Sequence, residues 1–448
     1  MKMKKLTLLL LANLVGLSLM AEGYQINSQS ARQTGMGHLG TALRLGSESM
    51  LFNPAGMAFM QGKYELSLGT TAIFSKVKYM NDSYSTQTDN PIGTPLFGYA
   101  GYRINNNLVA GISITNPAGN SLVWPDGWVG SHHIQNISLK AFSIQPTISY
   151  KLNDMFSFGA GLMVNFGDFT IERGLTRIGA LNNLGLMMPQ YKPIIDMYAA
   201  VPSITASLEG TSKMSFGFNA GILYTPNQRL SIGVSYRSKV DVTVEDGVAA
   251  IGYAGPEMQA LVTGVNTAMP GTIPVPPIDG KKFSASLPIP SNLNIGVAYK
   301  TTDKLLLSAE LQFVGWKAYD QLVFQFGADA GNLKLASKKN FKNTVIYRIG
   351  GELEVSDKFI WRFGGIYDMT PVDLKLYYPE TPGANKLSAT TGFSYKPIEM
   401  LTIDFSVQAL VGEKVRGYVP ETWNPNVNFV GDYRATAVLP SLGLKFNF

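Results

Sequence analysis

Arg434-Ala435-Thr436-Ala437-Val438-Leu439-Pro440-Ser441-Leu442-Gly443-Leu444-Lys445-Phe446-Asn447-Phe448 reads with a strict period of two. Thr436, Val438, Pro440, Leu442, Leu444, Phe446 and Phe448 share one face; Ala437, Leu439, Ser441, Gly443, Lys445 and Asn447 share the other. That period is a β-strand, because successive side chains leave a pleated backbone on opposite sides. The alternation returns upstream. Residues 229–244 set Leu230, Ile232, Val234, Tyr236, Val240, Val242 and Val244 against Ser231, Gly233, Ser235, Arg237, Lys239, Asp241 and Thr243. Residues 400–412 set Leu401, Ile403, Phe405 and Val407 against Thr402, Asp404, Ser406 and Gln408. Alternation alone fits a soluble barrel as well as one in a membrane, so the connections must decide.

Strands are expected near 64–79, 96–104, 107–116, 136–151, 155–173, 214–226, 229–244, 283–300, 304–325, 342–355, 359–370, 387–397, 400–412 and 432–448. Short turns at 105–106, 152–154, 227–228, 301–303, 356–358 and 397–399 alternate with long loops near 80–95, 117–135, 174–213, 245–282, 326–341, 371–386 and 413–431. Short turns at one end and long loops at the other describe a transmembrane β-barrel, antiparallel and even in strand number. The fold expected is therefore all-β, a 14-stranded barrel occupying residues 64–448. Tyr102, Tyr150, Tyr224 and Tyr299 fall near the short turns, where an aromatic girdle would meet the lipid boundary.

Composition agrees. The 448 residues include no cysteine, 46 Gly and only 15% charged side chains, against about 25% in an average soluble chain. Mean hydropathy is +0.06, and no apolar run reaches the ~18 residues of a membrane helix. A helical transporter and a disulfide framework are both excluded. Residues 1–21, with Lys2, Lys4 and Lys5 before the apolar stretch Leu6–Met20 and Ala21, read as a signal peptide. Losing those three lysines lowers the formal net charge from +6 to +3, which is no argument for nucleic acid.

Residues 22–63 read as neither strand pair nor simple leader, and a plug (hatch) within the lumen is expected there. Gly23-Tyr24-Gln25-Ile26-Asn27, Gly35-Met36-Gly37 and Asn53-Pro54-Ala55 resemble the hatch of the FadL family, outer-membrane transporters of long-chain fatty acids and other hydrophobic compounds. The likeness continues in order through Gly111-Ile112-Ser113-Ile114-Thr115-Asn116, Ile171-Glu172-Arg173 and Asn219-Ala220-Gly221-Ile222-Leu223-Tyr224. It ends in Ser235-Tyr236-Arg237, Tyr347-Arg348-Ile349-Gly350 and Phe359-Ile360-Trp361-Arg362.

The resemblance implies passive uptake of a hydrophobic ligand through a lateral opening, without a cofactor, by a monomer in Gram-negative outer-membrane lipid and lipopolysaccharide. It implies a strand kink at Asn116-Pro117-Ala118-Gly119, hatch residues Tyr24, Asn53, Pro54 and Ala55, and Arg173 as the partner of a ligand carboxylate. Counting by twos from Phe169 and Ile171 places Arg173 toward the lumen. The second basic pocket residue that the family implies has no evident counterpart. Exposed apolar loops should receive the ligand first, and Met187, Met188, Ile194, Met258 and Leu261 are the candidate contacts. Arg237, Lys239, Arg348 and Arg362 should face inward with Asp241, Glu310, Glu352 and Asp404, as ion pairs that hold the plug.

Two other classes remain in view: a general porin, and an outer-membrane lipid-handling enzyme. The three histidines, His38, His132 and His133, sit in no nucleophile motif. His132 and His133 are adjacent and are expected to point apart, so no catalytic or metal residue is assigned.

Overall fold

Four of the short turns use one device. Asn105 Oδ1 accepts the N–H groups of Asn107 and Leu108, each at 2.9 Å. Asn153 does the same for Met155 and Phe156, Asn227 for Arg229 and Leu230, and Thr302 Oγ1 for Lys304 and Leu305. Such side chains imitate a backbone turn and so return the chain antiparallel within a few residues.

The computed structural model describes residues 23–421 and 426–448; the expected signal peptide lies outside the described residues. The strands between turns and loops are β1 (Tyr64–Thr71), β2 (Leu96–Arg103), β3 (Leu108–Thr115), β4 (Asn136–Lys151), β5 (Phe156–Gly174), β6 (Ser215–Tyr224) and β7 (Leu230–Arg237). They continue as β8 (Asn292–Lys300), β9 (Leu305–Val314), β10 (Thr344–Ser356), β11 (Phe359–Asp368), β12 (Lys386–Ile398), β13 (Leu401–Gly412) and β14 (Asn428–Asn447). Each pairs antiparallel with its neighbour, and β1 closes on β14 from Glu65 opposite Asn447 to Thr71 opposite Ser441. Closure removes every sheet edge, the condition for a sheet in lipid.

Burial runs inside out. On β8, Leu293, Ile295, Val297 and Tyr299 are exposed while Asn292 and Asn294 are buried. On β3, Ile112 and Ile114 are exposed while Ser113 and Thr115 are buried. Water would reverse both preferences, so the outer face is built for hydrocarbon. Tyr102, Tyr150 and Tyr299 lie exposed at the turn end, and Tyr224 is half-buried.

The lumen has two tiers, and a register break divides them. β7 ends with Arg237 opposite Asn292, and pairing resumes with Val240 opposite Ile289. Pro290, in the interval, has no N–H for the ladder. Alternation changes face across this break. Ile232, Val234 and Tyr236 face lipid, but Val240, Val242 and Val244 are buried in the lumen. Lys239 and Asp241 are accordingly not lumen residues as expected; they pair at 2.6 Å on the exposed surface. The long loops are also shorter than expected, because strands run into them. Ile204–Thr211 prolongs the wall above β6, Val240–Tyr253 prolongs β7, and Pro256–Ala268 is a helix.

Residues 24–60 fill the lower, polar tier. Asn53 Nδ2 donates to Thr41 O at 2.7 Å and to Ile222 O of β6 at 3.0 Å, while its Oδ1 accepts from Ala55 N. Ser157 Oγ of β5 donates to Ala55 O at 2.9 Å. Glu310 joins tiers of interaction: Oε1 takes Arg348 Nη1 at 2.8 Å, and Oε2 takes the Gly40 and Thr41 N–H groups at 3.1 and 2.9 Å. Arg362 pairs with Glu352 at 2.7 Å and Asp404 at 3.2 Å, and Glu352 also holds Arg32 at 3.2 Å. Arg237 Nη2 donates to Leu51 O at 2.8 Å.

Wall glycines allow this approach. A Cβ on Gly221 would stand 2.1 Å from Asn53 Oδ1, and one on Gly233 would stand 1.9 Å from Thr41 O. Gly233→Ala should therefore push the Thr41–Ala42 turn off the wall at a cost of about 1–3 kcal/mol. Amide exchange should rise at Thr41 and Ala42 while the barrel keeps its heat-modifiable gel migration. Unchanged exchange there would contradict the close contact.

Candidate functional site

The upper tier turns apolar because of the face change. Phe169 and Ile171 of β5, Val242 and Val244 beyond β7, Leu287 before β8, and Leu322 and Phe324 beyond β9 line a pocket of about 50 Å³. Ordinary ligand pockets span about 300–1,000 Å³, so this one must widen to take an alkyl chain. Tyr24 forms part of its wall, edge-on to Trp316 at 5.1 Å and to Tyr319 at 5.5 Å, with its hydroxyl on Pro288 O.

Beyond Tyr24 lies a larger cavity of about 540 Å³ against the barrel wall at the end of β3. Gln25, Ile26, Ile73, Leu139 and Phe142 line it, and so do Ile92 and Leu96, which are 55% and 59% exposed at the outer surface. Asn120 and Leu139 belong to both cavities. The N-terminal segment stands between them.

At this point the wall is bulged. Thr115 pairs with Ser143, and Gly119 with Lys140, so 116–118 oppose only 141–142. Residues 24–29 supply bonds that the bulge leaves open. Gly119 N donates to Tyr24 O at 2.8 Å and Ile26 N to Pro117 O at 3.2 Å. Gln29 holds both backbone groups of one residue: Nε2 donates to Asn116 O at 2.7 Å, and Oε1 accepts from Asn116 N at 3.1 Å. Asn116 Oδ1 in turn accepts Leu96 N at 2.8 Å, while its Nδ2 donates to Ala141 O at 3.0 Å. Asn116-Pro117-Ala118-Gly119 thus joins wall and N-terminal segment through hydrogen bonds on both sides.

Arg173 is half-buried on the inward face of β5, two residues past Ile171, within electrostatic reach of Glu380 and Tyr378. Lys339, missed from the sequence, is fully buried nearby, its ammonium ion-paired with Glu380 and 3.8 Å from the Tyr378 ring centroid. Burial pushes the Lys339 ammonium below its usual range, and Glu380 opposes that fall. Glu380 lines the upper pocket, and its Oε2 is buried without a hydrogen bond. One carboxylate therefore already faces two cations. The only sequence signal was Lys338-Lys339 in a loop otherwise short of paired charges.

The candidate loop contacts divide. Met258 and Leu261 are buried in the helix Pro256–Ala268 with Ile195, Ile204 and Val265, and Ile194 packs against them. They hold the loops together. Met187, 80% exposed at the end of the helix Asn182–Met187, and Leu186 and Met197 present apolar surface outward; Met188 is half-buried.

His132 and His133 do not point apart. A tight turn, with His133 N on Gly130 O at 2.9 Å, brings their ring centroids to 4.2 Å, both facing Glu421. Burial and His133 lower the His132 basicity. Burial would raise the Glu421 carboxyl, but the two imidazoles hold it at about 2. Among the described residues this is the one His/Asp/Glu group spaced to hold a metal.

The family model described as outer membrane protein transport protein (OMPP1/FadL/TodX) matches residues 12–448. The long-chain fatty acid transport protein of Salmonella typhi is 22% identical over 403 residues, covering 88% of each chain. A Pseudomonas aeruginosa FadL homologue superposes with a TM-score of 0.80 at 20% identity, over 95% of this chain and 100% of that one. The Ralstonia pickettii toluene transporter TbuX follows with 0.65 at 18% identity, over 97% and 99%. At such identities the structural likeness speaks for the fold.

Proposed function

Since the chain belongs to the OMPP1/FadL/TodX family of outer membrane transport proteins, we propose that it admits long-chain fatty acids or similar hydrophobic small molecules passively through a plugged barrel with a lateral opening. The protein is an outer-membrane β-barrel of the Gram-negative envelope. One observation carries the reading: the N-terminal segment divides an apolar upper pocket from a cavity that reaches the outer surface at Ile92 and Leu96.

The exposed side chains Met187 and Met197, with Met188 and Ile194 beside them, take the ligand from outside. Apolar surface facing water favours such capture at about 25 cal/mol per Å² removed from water. The chain then enters beside Phe169, Val242 and Phe324, displacing the Met258–Leu261 side of the packed loops. Residues 22–63 act as the hatch, anchored by Asn53, Pro54 and Ala55. Tyr24 is the moving wall. When its segment leaves Pro117 O and Gly119 N, the upper pocket joins the lateral cavity, and the ligand leaves sideways past Leu96 into lipid. No step needs an energy source, because the ligand moves from a dilute aqueous state into apolar surroundings throughout.

Arg173 is the partner for a ligand carboxylate. A second reading, in which the ligand is uncharged, has its own support: Glu380 already neutralises Lys339. Two names among the relatives describe those two classes, a fatty acid transporter and a toluene transporter. A porin would hold an open lumen, whereas here the lower tier is filled.

Uptake of labelled oleate by cells carrying the protein, lost on deletion, together with negligible ionic current in planar bilayers, is the expected result. Large steady currents would overturn the reading. Arg173→Ala should weaken oleate binding to purified protein by about tenfold, the size of one lost charge-assisted contact. Equal binding by variant and wild type would remove Arg173 from the site.

A further inference from the structure

The turn at Gly130–Ile134 gathers three donor atoms that the transport path does not use. His132 Nε2 lies 2.8 Å from Glu421 Oε2, and His133 Nε2 lies 3.4 Å from the same oxygen. All three residues are more than nine-tenths buried. Protein atoms alone satisfy this group poorly. His132 Nδ1 and His133 Nε2 are both buried without a hydrogen bond. Leaving such buried nitrogens without a partner is unfavourable.

A cation between the rings would take up the idle lone pair of His133 Nε2 and replace the proton that now joins His132 Nε2 to Glu421. The three candidate ligand atoms, one from each residue, all lie within 4.8 Å of one another. Ligands at about 2.0–2.2 Å around a tetrahedral ion stand a little over 3 Å apart, close to the two spacings found here. We propose that His132, His133 and Glu421 form a site for a divalent transition-metal ion of the Zn²⁺ class, clasping the loop after the β3 bulge to the loop between β13 and β14. Two imidazoles and one carboxylate make a donor set of intermediate softness. It suits Zn²⁺ and its neighbours and disfavours Mg²⁺ and Ca²⁺, which take oxygen donors. Three protein ligands leave one position for water or a fourth donor.

The placement gives the clasp a consequence. Asn116-Pro117-Ala118-Gly119 opens the loop that ends in His132 and His133, and Glu421 stands on the loop that leads into β14. Joining them stiffens the outer wall beside the lateral cavity. Phe429 packs on both rings, at 5.8 and 5.1 Å, and shields the site from solvent.

The full-length protein, purified in detergent and stripped with EDTA, should bind one Zn²⁺ per chain in titration calorimetry and show no heat with Mg²⁺. Co²⁺ in place of Zn²⁺ should develop the visible absorption of a four-coordinate ion. Glu421→Gln and His133→Gln should each weaken Zn²⁺ binding at least about tenfold, with folding checked by heat-modifiable gel migration. Absence of stoichiometric Zn²⁺ binding by the folded wild type would overturn the proposal. So would wild-type affinity in a folded His132→Ala, His133→Ala double variant.

Discussion

Arg362→Ala is expected to lower the stability of the plugged state by about 3–5 kcal/mol, the cost of leaving partners of a buried ion pair uncompensated. Arg362 is one of the largest fully buried side chains in the barrel. Its Nε holds Glu352 at 2.7 Å; its Nη1 holds Asp404 at 3.2 Å and donates to Ser394 Oγ at 2.6 Å. Without it, Asp404 loses its ion-pair partner, because the plug's Arg32 pairs with Glu352 instead, at 3.2 Å. The wall around Arg362 is a continuous backbone ladder from β10 through β13, and it does not depend on the guanidinium. The plug does. The loss should therefore appear as release of residues 24–60 before the barrel melts. Proteolysis within the plug and new ionic current in bilayers would report it. Arg362→Met and Arg32→Met combined with Glu352→Gln and Asp404→Asn should recover most of the loss, since removing the whole charged group, Arg32 included, spares the desolvation. A plug as protected in Arg362→Ala as in wild type would mean that the network is incidental.

The strands and turns were legible because each carries its own local signal. Strict alternation in 434–448 and 400–412, and turns led by Asn105, Asn153 and Asn227, belong to a few neighbouring residues. The resemblance then added the order of the motifs along the chain. What escaped depended on non-local facts. The face change after Arg237 arises from Pro290, some fifty residues away and opposite it in the barrel. No count by twos within 229–244 reveals it, so Lys239 was placed inside. The strand Ile204–Thr211 did alternate, with Ile204, Ala206 and Leu208 buried, but it hid in a loop read for apolar content alone. His132 and His133 meet because a turn folds them together, whereas extended backbone would have parted them. Lys339 and Glu380 come from separate loops on either side of the β10–β11 hairpin, and only closure of those loops over the lumen brings the two side chains together. Arg173 needed no such closure, since its parity holds along a single strand.

Glu380→Gln should raise the affinity for laurate by about 10- to 100-fold, or about 1.4–2.8 kcal/mol, while leaving dodecanol and toluene nearly unchanged. In the wild type Glu380 occupies Lys339 as a ligand carboxylate would, so an incoming fatty acid must displace it or settle for Arg173 alone. Two unit charges about 4 Å apart interact by about 4 kcal/mol at an effective dielectric of 20, so removing the resident charge frees more than enough to account for the gain. The amide keeps the shape and one hydrogen bond, and the variant should fold. Its pH dependence carries the sign. Burial already lowers the Lys339 ammonium, and Glu380 is the group that works against it. In Glu380→Gln that support is gone, so Lys339 gives up its proton at lower pH than in the wild type. The gain for laurate should then be full at low pH, where the ammonium is intact and laurate ionised, and fade as pH rises. Competition between labelled laurate and dodecanol on the purified protein, read across pH, measures both effects. If laurate binds equally to variant and wild type while dodecanol binds to both, the pocket is apolar but Glu380 does not compete for its cations. If neither binds to either protein, the transport reading itself fails.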